Sequence, residues 1–440
     1  MPFDKLAPTE DVRKWYATFV KDPIPPRLRI YSPRERGHLA EAVSAWNSRG
    51  FIEPTRAFVL CNPTFAEKKD GTIRTCVDYT PINQATADFV WPMPRIQDVR
   101  FRVLGATRFS RLDLTNAFME NIEVPEEHRG ATAFNTPWGA WQFRRLPFGL
   151  KTAPAFFQRF MDFLLRAHNA HALWYIDDIL IFSNARSHEA CTRAVIKTLR
   201  MANVQISWKK SELNKDQILF VGMVFSGQGL TASPLIRTIA DRDVPTTIKD
   251  KQSFLGFANY FRDFVPGFAT LAAPLYPDQH NNSRSPDYIR DFTTLVTQCM
   301  SHVSLNHYED DKDGTLFTDA SKYATGAVLI QQGRVCAIRS KTLTPAQTRY
   351  STTDREHLAL LDGCESFRAF IQSNKCLTVS TDHMALLNRS DENLTPRQVR
   401  WKTRVVNTIG RVNFVKGLNN PADYLSRKGS WLGIGGPFGV

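Results

Sequence analysis

Leu173-Trp174-Tyr175-Ile176-Asp177-Asp178-Ile179-Leu180-Ile181-Phe182 is apolar on both sides of two adjacent aspartates. Two buried strands joined by a tight turn would carry both carboxylates at the tip of one hairpin. Asp-Asp is a poor substitute for the Asn-Gly or Asp-Gly of such turns, although taken alone the pair also fits a solvated turn. Working outward, Phe109–Leu114 reads as another short apolar strand, and Asp113 near its end supplies a third acid. Clustered carboxylates repel and take up protons unless a cation intervenes. Two divalent ions about 4 Å apart would relieve this and clamp an in-line phosphoryl displacement. Oxygen ligands point to magnesium, two ions per site, with manganese able to substitute.

Around this hairpin the chain punctuates itself clearly. Ser32-Pro33-Arg34-Glu35 is a capping box with proline at N1, Leu39, Val43 and Trp46 share a face, and Gly50 stops the helix. Phe58–Ala66 and Thr72–Tyr79 read as strands around a Lys68-Lys69-Asp70-Gly71 turn. A helix near Thr115–Met119, a polar turn at Pro125–Gly130, a helix over Thr152–Arg166 and a capped helix over Ser187–Ala202 follow. Gln252–Phe268 reads as one aromatic-rich helix of a small helical subdomain, and Pro277–Asp291 as a flexible polar insertion. Strands at Thr315–Ala320, Gly326–Gln331 and Arg334–Ser340 precede a helix from Thr353, a strand at Leu377–Thr381, a helix over Pro396–Ile409 and a strand at Arg411–Lys416. That order predicts a mixed sheet flanked by helices.

Composition bounds the answer. The 440 residues suit two to four domains, and 42% apolar content with 30 Phe excludes a disordered or fibrous chain. No apolar run is long enough to span a membrane, and Met1–Tyr31 mixes charge and proline unlike a secretory signal. Seven scattered cysteines without C-x-x-C spacing indicate neither zinc nor disulfides and fit a reducing, intracellular setting. A net charge of +13 favours a polyanionic partner. Residues 312–428 hold 18 basic and 10 acidic side chains, so the excess concentrates toward the C-terminus.

Tyr175-Ile176-Asp177-Asp178 resembles the Y-x-D-D box of reverse transcriptases. Arg111-Leu112-Asp113-Leu114, Leu146-Pro147-Phe148-Gly149-Leu150-Lys151-Thr152-Ala153-Pro154, Lys69-Asp70-Gly71-Thr72-Ile73-Arg74 through Tyr79, and Phe254-Leu255-Gly256-Phe257-Ala258-Asn259-Tyr260-Phe261 are similar, in unbroken order, to the Pol polyprotein of gypsy-class (metavirus) long-terminal-repeat retrotransposons. The resemblance implies Asp113, Asp177 and Asp178 as catalytic metal ligands. It places Lys69 and Arg74 against the incoming triphosphate, with Lys68 a neighbour, and Phe148 and Gly149 at the nucleotide pocket. It puts Phe118 at the sugar gate, where a bulky ring would clash with a ribose 2′-hydroxyl; packing in the core is the alternative. Phe220-Val221-Gly222 resembles the turn that grips a primer, and Lys210 is a weak phosphate contact. Phe118-Met119-Glu120 departs from the tyrosine and His-Gln of many relatives, and Thr55-Arg56-Ala57-Phe58 lacks their serine-rich run.

A second carboxylate set lies downstream. Asp319 and Asp382 end neighbouring strand candidates, Glu356 falls in the first turn of a helix, and Asp423 in that of another entered through Asn420-Pro421. Four carboxylates suit a two-metal hydrolysis. In order they match the D-E-D-D set of ribonucleases H, and Asn419 through Arg427 resembles the gypsy-class version. This resemblance implies metal ligation by all four, with His383 near the site. Arg397, Arg400, Lys402 and Arg404, beside Trp401, form a basic stretch, either a solvated face or a phosphate track for a hybrid duplex.

The fold class expected is a multidomain α+β and α/β chain: a right-hand polymerase with fingers, palm and thumb, then a ribonuclease H-like mixed sheet. The boundaries expected are fingers and palm over 1–230, thumb and connection over 231–311, ribonuclease H over 312–428 and a tail over 429–440. The function expected is RNA- and DNA-templated DNA synthesis with degradation of RNA in RNA–DNA hybrids, on an RNA template, a DNA primer and dNTPs, as a monomer or homodimer. Resemblance implies cytoplasmic virus-like particles. Without Asp-Thr-Gly or Asp-Ser-Gly protease motifs or an integrase zinc module, the chain reads as a segment of a longer polyprotein. A binding relic without chemistry and a host polymerase or intron maturase are the other readings.

Overall fold

The computed structural model describes residues 10–67, 71–94, 96–277, 283, 285–371, 377–387, 394–405 and 411–427. The chain forms two compact units, Met1–Val221 and Gly222–Val440.

The first unit is organised by a four-stranded sheet in the order Ala172–Tyr175, Asp178–Ser183, Arg108–Asp113, Glu212–Lys215, all antiparallel. Ile179, Leu180, Ile181 and Phe182 are buried because a middle strand has neighbours on both edges and helices on its face. The Ala153–Leu165 helix turns Phe156, Phe157, Phe160 and Met161 inward, and the His188–Met201 helix adds Val195 and Leu199. Buried His188 sits 2.7 Å from Ser110 Oγ and 2.9 Å from Ser183 Oγ, tying the two middle strands together at the end away from the aspartates. Two smaller sheets complete the unit. Asn62–Glu67 pairs with Ile73–Asp78 in the expected hairpin, whose connecting residues 68–70 lie outside the described residues. Ile52–Pro54, Gly139–Phe143 and Phe134–Thr136 form the other. The Pro33–Ser48 helix opens on the capping box read at Ser32 and Glu35.

The second unit holds a five-stranded sheet in the order Arg334–Thr342, Ala324–Gln331, Gly314–Ala320, Leu377–Thr381, Arg411–Phe414. Its first three strands are antiparallel and the last two pairings parallel, the mixed sheet that the element order predicts. The Thr352–Ser366 helix packs across its face with Leu358, Ala359, Leu361 and Cys364 buried. The segment 231–311 belongs to this same unit: Ala269 N donates to Ser340 Oγ at 2.9 Å and Arg262 Nη2 to Ser340 O at 3.3 Å, on the sheet's edge strand.

Several local expectations change. The helix expected over Gln252–Phe268 spans Ile248–Tyr260, starting earlier at a Thr247/Asp250 capping box. It ends before Pro266, which disfavours helical backbone at Val265, and Gly267 at φ 67° reorients the chain into a new helix, Phe268–Ala272. The polar insertion expected over Pro277–Asp291 is helical from Pro286 onward, since Ser285 accepts from Tyr288 N and Pro286 opens Pro286–Met300; residues 278–282 and 284 lie outside the described residues. The turn at Pro125–Gly130 contains a single helical turn, Glu126–Arg129. Ser187 does not cap its helix; it is itself in helical conformation and its hydroxyl donates to Asn184 Oδ1 at 3.0 Å.

Two candidate carboxylate centres

In the first unit, Asp113 and Asp178 are direct partners across adjacent antiparallel strands, and Tyr175 pairs with Asp178 across the hairpin. The turn is therefore the two residues Ile176 and Asp177, which brings all three acids to one end of the sheet. Ile176 takes φ 57°, a left-handed conformation that costs a β-branched residue about 1–3 kcal/mol. A partner on helix Ala153–Leu165 accommodates it: the Ile176 N–H donates to Gln158 Oε1 at 2.8 Å.

Burial raises the Asp177 carboxyl above its ordinary range, with Asp113 adding to the rise and Lys210 and Arg74 opposing it. Asp178 is raised by burial and then by Asp177, with Arg111 opposing. Lys210 Nζ stands 3.5 Å from Asp113 Oδ1, and Arg111 pairs with Glu212 at 2.8 Å. Lys210, weak on sequence, is thus at the carboxylates; Gln158 was not singled out in the sequence, and Arg111 only as part of the block around Asp113.

Beside them, the Arg74 guanidinium lies 4.3 Å from the Phe148 ring centroid. Phe148 meets Phe118 edge-on at 5.1 Å, and Phe118, only 7% exposed, packs equally close on Phe157. The structure brings Arg74, Phe148 and Phe118 into one row, with Phe118 a full member of the core. Gly149, at φ 100°, would set a Cβ 3.1 Å from Val77 O, so the loop passes against the Ile73–Asp78 strand in a way only glycine allows. Lys68 and Lys69 lie outside the described residues.

In the second unit, oxygens of Asp319, Glu356 and Asp382 all lie within 4.8 Å of one another. Asp319 and Asp382 come from parallel neighbours, at the end of Gly314–Ala320 and just after Leu377–Thr381. Glu356 arrives from Thr352–Ser366, a helix capped by Ser351 that starts before the expected Thr353, so Glu356 occupies the second turn instead of the first. Burial pushes Asp319 up to about 6 and Glu356 up to about 8, with neighbouring carboxylates adding to both. Among the described residues, buried Glu356 Oε2 meets no hydrogen-bond partner.

Asp423 also faces this group: its charge contributes to the rise at Asp319, and its own carboxyl is raised by burial and by Asp382. It begins the Asp423–Ser426 helix, but Asn420 is no N-cap; its Oδ1 accepts from Ala422 N at 3.1 Å and its Nδ2 donates to Thr318 O at 3.0 Å. Ser426 donates to Asp319 Oδ2, and Arg427 pairs with Asp423 at 2.7 Å. Gly326 makes this placement possible, because a Cβ there would lie 2.5 Å from Ala422 O and 3.0 Å from Ser426 N. His383 Nε2 meets Thr353 Oγ1 at 3.2 Å rather than a carboxylate. An all-oxygen set holding a buried orphan oxygen fits a hard divalent cation.

The basic stretch lies on the Pro396–Val405 helix, anchored inward by Gln398, which donates to Asp354 Oδ1 at 2.7 Å. Arg400 is exposed, Arg397 lies 4.2 Å over the Tyr350 ring, and Arg404 pairs with Glu365. No described helix is long and apolar enough to cross a membrane.

Residues 66–225 match the family described as reverse transcriptase (RNA-dependent DNA polymerase), and 309–406 the RNase H-like domain found in reverse transcriptase. The transposon Tf2-3 polyprotein of Schizosaccharomyces pombe is 32% identical over 400 residues, covering 86% of this chain and 30% of that polyprotein. Tf2-7 of the same organism is 31% identical with the same coverage. The chain spans about 30% of the length of these relatives. Among solved structures, a foamy viral protease-reverse transcriptase in complex with dsDNA is similar with a TM-score of 0.76 and 20% identity, over 91% of this chain and 86% of that one. The same viral protein in complex with RNA/DNA hybrid gives 0.72 and 19%, over 94% and 57%. The expected fold class is therefore the observed one.

Proposed function

We propose that this chain, which carries a reverse transcriptase domain and a ribonuclease H-like domain, copies RNA and DNA templates into DNA and degrades RNA within the hybrid it makes. The observation that carries this reading is one carboxylate cluster in each compact unit, each set at the ends of paired strands. The ligands proposed are Asp113, Asp177 and Asp178 in one unit, and Asp319, Glu356, Asp382 and Asp423 in the other. Magnesium, two ions per site when bound, would neutralise these acids and make a primer 3′-hydroxyl or a water nucleophilic at neutral pH.

The remaining work falls to the chain's own side chains. Arg74 and Lys69 would pair with the triphosphate, while Phe148 and Gly149 give its nucleoside a flat, close backing. Phe118, wedged between Phe148 and Phe157, cannot swing away from a ribose 2′-hydroxyl and so would favour deoxynucleotides. In the second unit, Ser426 and Arg427 hold Asp319 and Asp423 in place. Arg397, Arg400, Lys402 and Arg404 would track hybrid phosphates, although Arg404 must first leave Glu365. The partners proposed are an RNA template, a DNA primer, their hybrid and dNTPs, bound by a monomer or homodimer. The setting proposed is the cytoplasmic particle of a gypsy-class retrotransposon, with fingers and palm over 1–230, thumb and connection over 231–311, and ribonuclease H over 312–428.

Primer extension and hybrid cleavage, assayed side by side, test this. Asp177→Asn should abolish incorporation and leave cleavage; Asp382→Asn should do the reverse. Wild-type incorporation by Asp177→Asn would refute the polymerase site, and wild-type cleavage by Asp382→Asn the ribonuclease site.

A further inference from the structure

The strained turn beneath Asp177 is held by more than one bond. Asp162, one helical turn beyond Gln158 on Ala153–Leu165, accepts three donors: Trp91 Nε1 at 2.5 Å on Oδ2, and Trp174 Nε1 at 2.5 Å and Gln158 Nε2 at 2.9 Å on Oδ1. Gln158 is fully buried, and its Nε2 also lies 3.5 Å from Trp174 O. A buried primary amide has two orientations, and only one leaves Oε1 facing the Ile176 N–H. In the other, Nε2 would oppose that N–H while Oε1 opposed the Asp162 carboxylate, donor against donor and acceptor against acceptor. The carboxylate therefore selects the orientation in which Ile176 is held.

The two indoles in turn fix the carboxylate through its two oxygens, one each. Trp174, itself buried, lies on the strand that leads into the turn, two residues before Ile176, so Asp162 grips both that strand and, through Gln158, its turn. Asp177 and Asp178 follow directly. A shift of this turn moves both acids relative to Asp113, which lies on a different strand.

We propose that Asp162, clamped between Trp91 and Trp174 and acting through Gln158, is the positioning residue that sets the catalytic hairpin against Asp113. It would touch neither nucleotide nor primer, and its effect would fall on the chemical step rather than on binding. The proposal rests on the polymerase reading of the first unit.

Single-nucleotide incorporation by the full chain tests it. Asp162→Asn keeps the shape but faces one donor with another, and should lower kcat about tenfold with dNTP KM and primer–template Kd within about twofold, since misplacement acts on the reacting geometry. Trp91→Phe keeps the ring and deletes one donor, and should lower kcat about threefold with the same split. Hybrid cleavage by both variants should equal wild type. Unchanged kcat in both variants, or a fall matched by an equal rise in KM, would overturn the proposal. Asp177→Asn in the same assay separates the premise: if it incorporates at the wild-type rate the polymerase reading fails, whereas a dead Asp177→Asn beside a normal Asp162→Asn refutes the positioning role alone.

Discussion

At the residue scale, the proton inventory of the second centre makes a prediction. Asp319 and Glu356 are raised to about 6 and about 8, so between pH 4 and 8 the folded, metal-free unit binds more protons than the unfolded chain. Their contribution to stability is then greatest at low pH and is lost as pH rises through the folded values. Melting in a chelator should therefore occur at a lower temperature at pH 8 than at pH 5.5. Glu356→Gln should flatten that dependence, and added magnesium should raise the melting temperature more at pH 8 than at pH 5.5. Phe118 makes another. Because its ring is buried against Phe148 and Phe157, Phe118→Ala should cost about 3–5 kcal/mol in urea unfolding and also raise ribonucleotide incorporation. A loss below about 1 kcal/mol would mean the ring is not core packing. Asp113, Asp319 and Asp382 were legible in the sequence because each closes a strand candidate, Asp177 and Asp178 because apolar runs flank them, and Glu356 and Asp423 because each falls near a helix start. Gln158 and Asp162 were not, since a polar pair four residues apart on a helix looks the same whether its partners are water or a distant turn.

At the scale of elements, strands and helix starts were legible wherever side chains near in sequence decide them. Ser32 with Glu35, and the Asp70-Gly71 turn signal, need no tertiary partner to be recognised, although the strand expected over Phe58–Ala66 spans Asn62–Glu67. Ends failed where distant packing decides: the Gln252–Phe268 pattern continues past Tyr260 because Phe264 and Phe268, in the two short helices that follow, are also buried. The same reasoning gives two tests. Thr247→Ala removes the hydroxyl that accepts from Asp250 N, one arm of a capping box, and should destabilise the second unit by about 1 kcal/mol. Gly149→Ala forces a side chain into φ 100° against Val77 O and should cost about 1–3 kcal/mol while raising dNTP KM. An unchanged KM would take the Phe148–Gly149 loop out of the nucleotide pocket.

At the scale of the whole molecule, composition pointed to a polyanionic partner, and the charge of +13 predicts that primer–template binding weakens steeply between 50 and about 200 mM salt. A boundary was expected near 311, where the thumb and connection give way to the ribonuclease H segment, yet packing carries the core across it. Tyr308 is buried, its ring 6.0 Å from Phe370, and Ala269 bonds to Ser340. A fragment of residues 222–440 should accordingly unfold in one transition, and one starting at 312 should melt lower and expose apolar surface to a fluorescent dye. Equal melting temperatures would show that the helical segment contributes nothing to the sheet.

Gly326 carries a consequence for how this chain tolerates change. It bears no reactive group, yet the last helix rests on its bare backbone, and that contact decides where Asp423 stands. Selection acting only on hybrid cleavage would therefore purge even alanine at position 326. A saturation scan scored for that activity would rank this silent position among the acids themselves, whereas solvent-facing Gly333, at a hairpin tip with open space around it, would reject substitutions for its backbone angle alone.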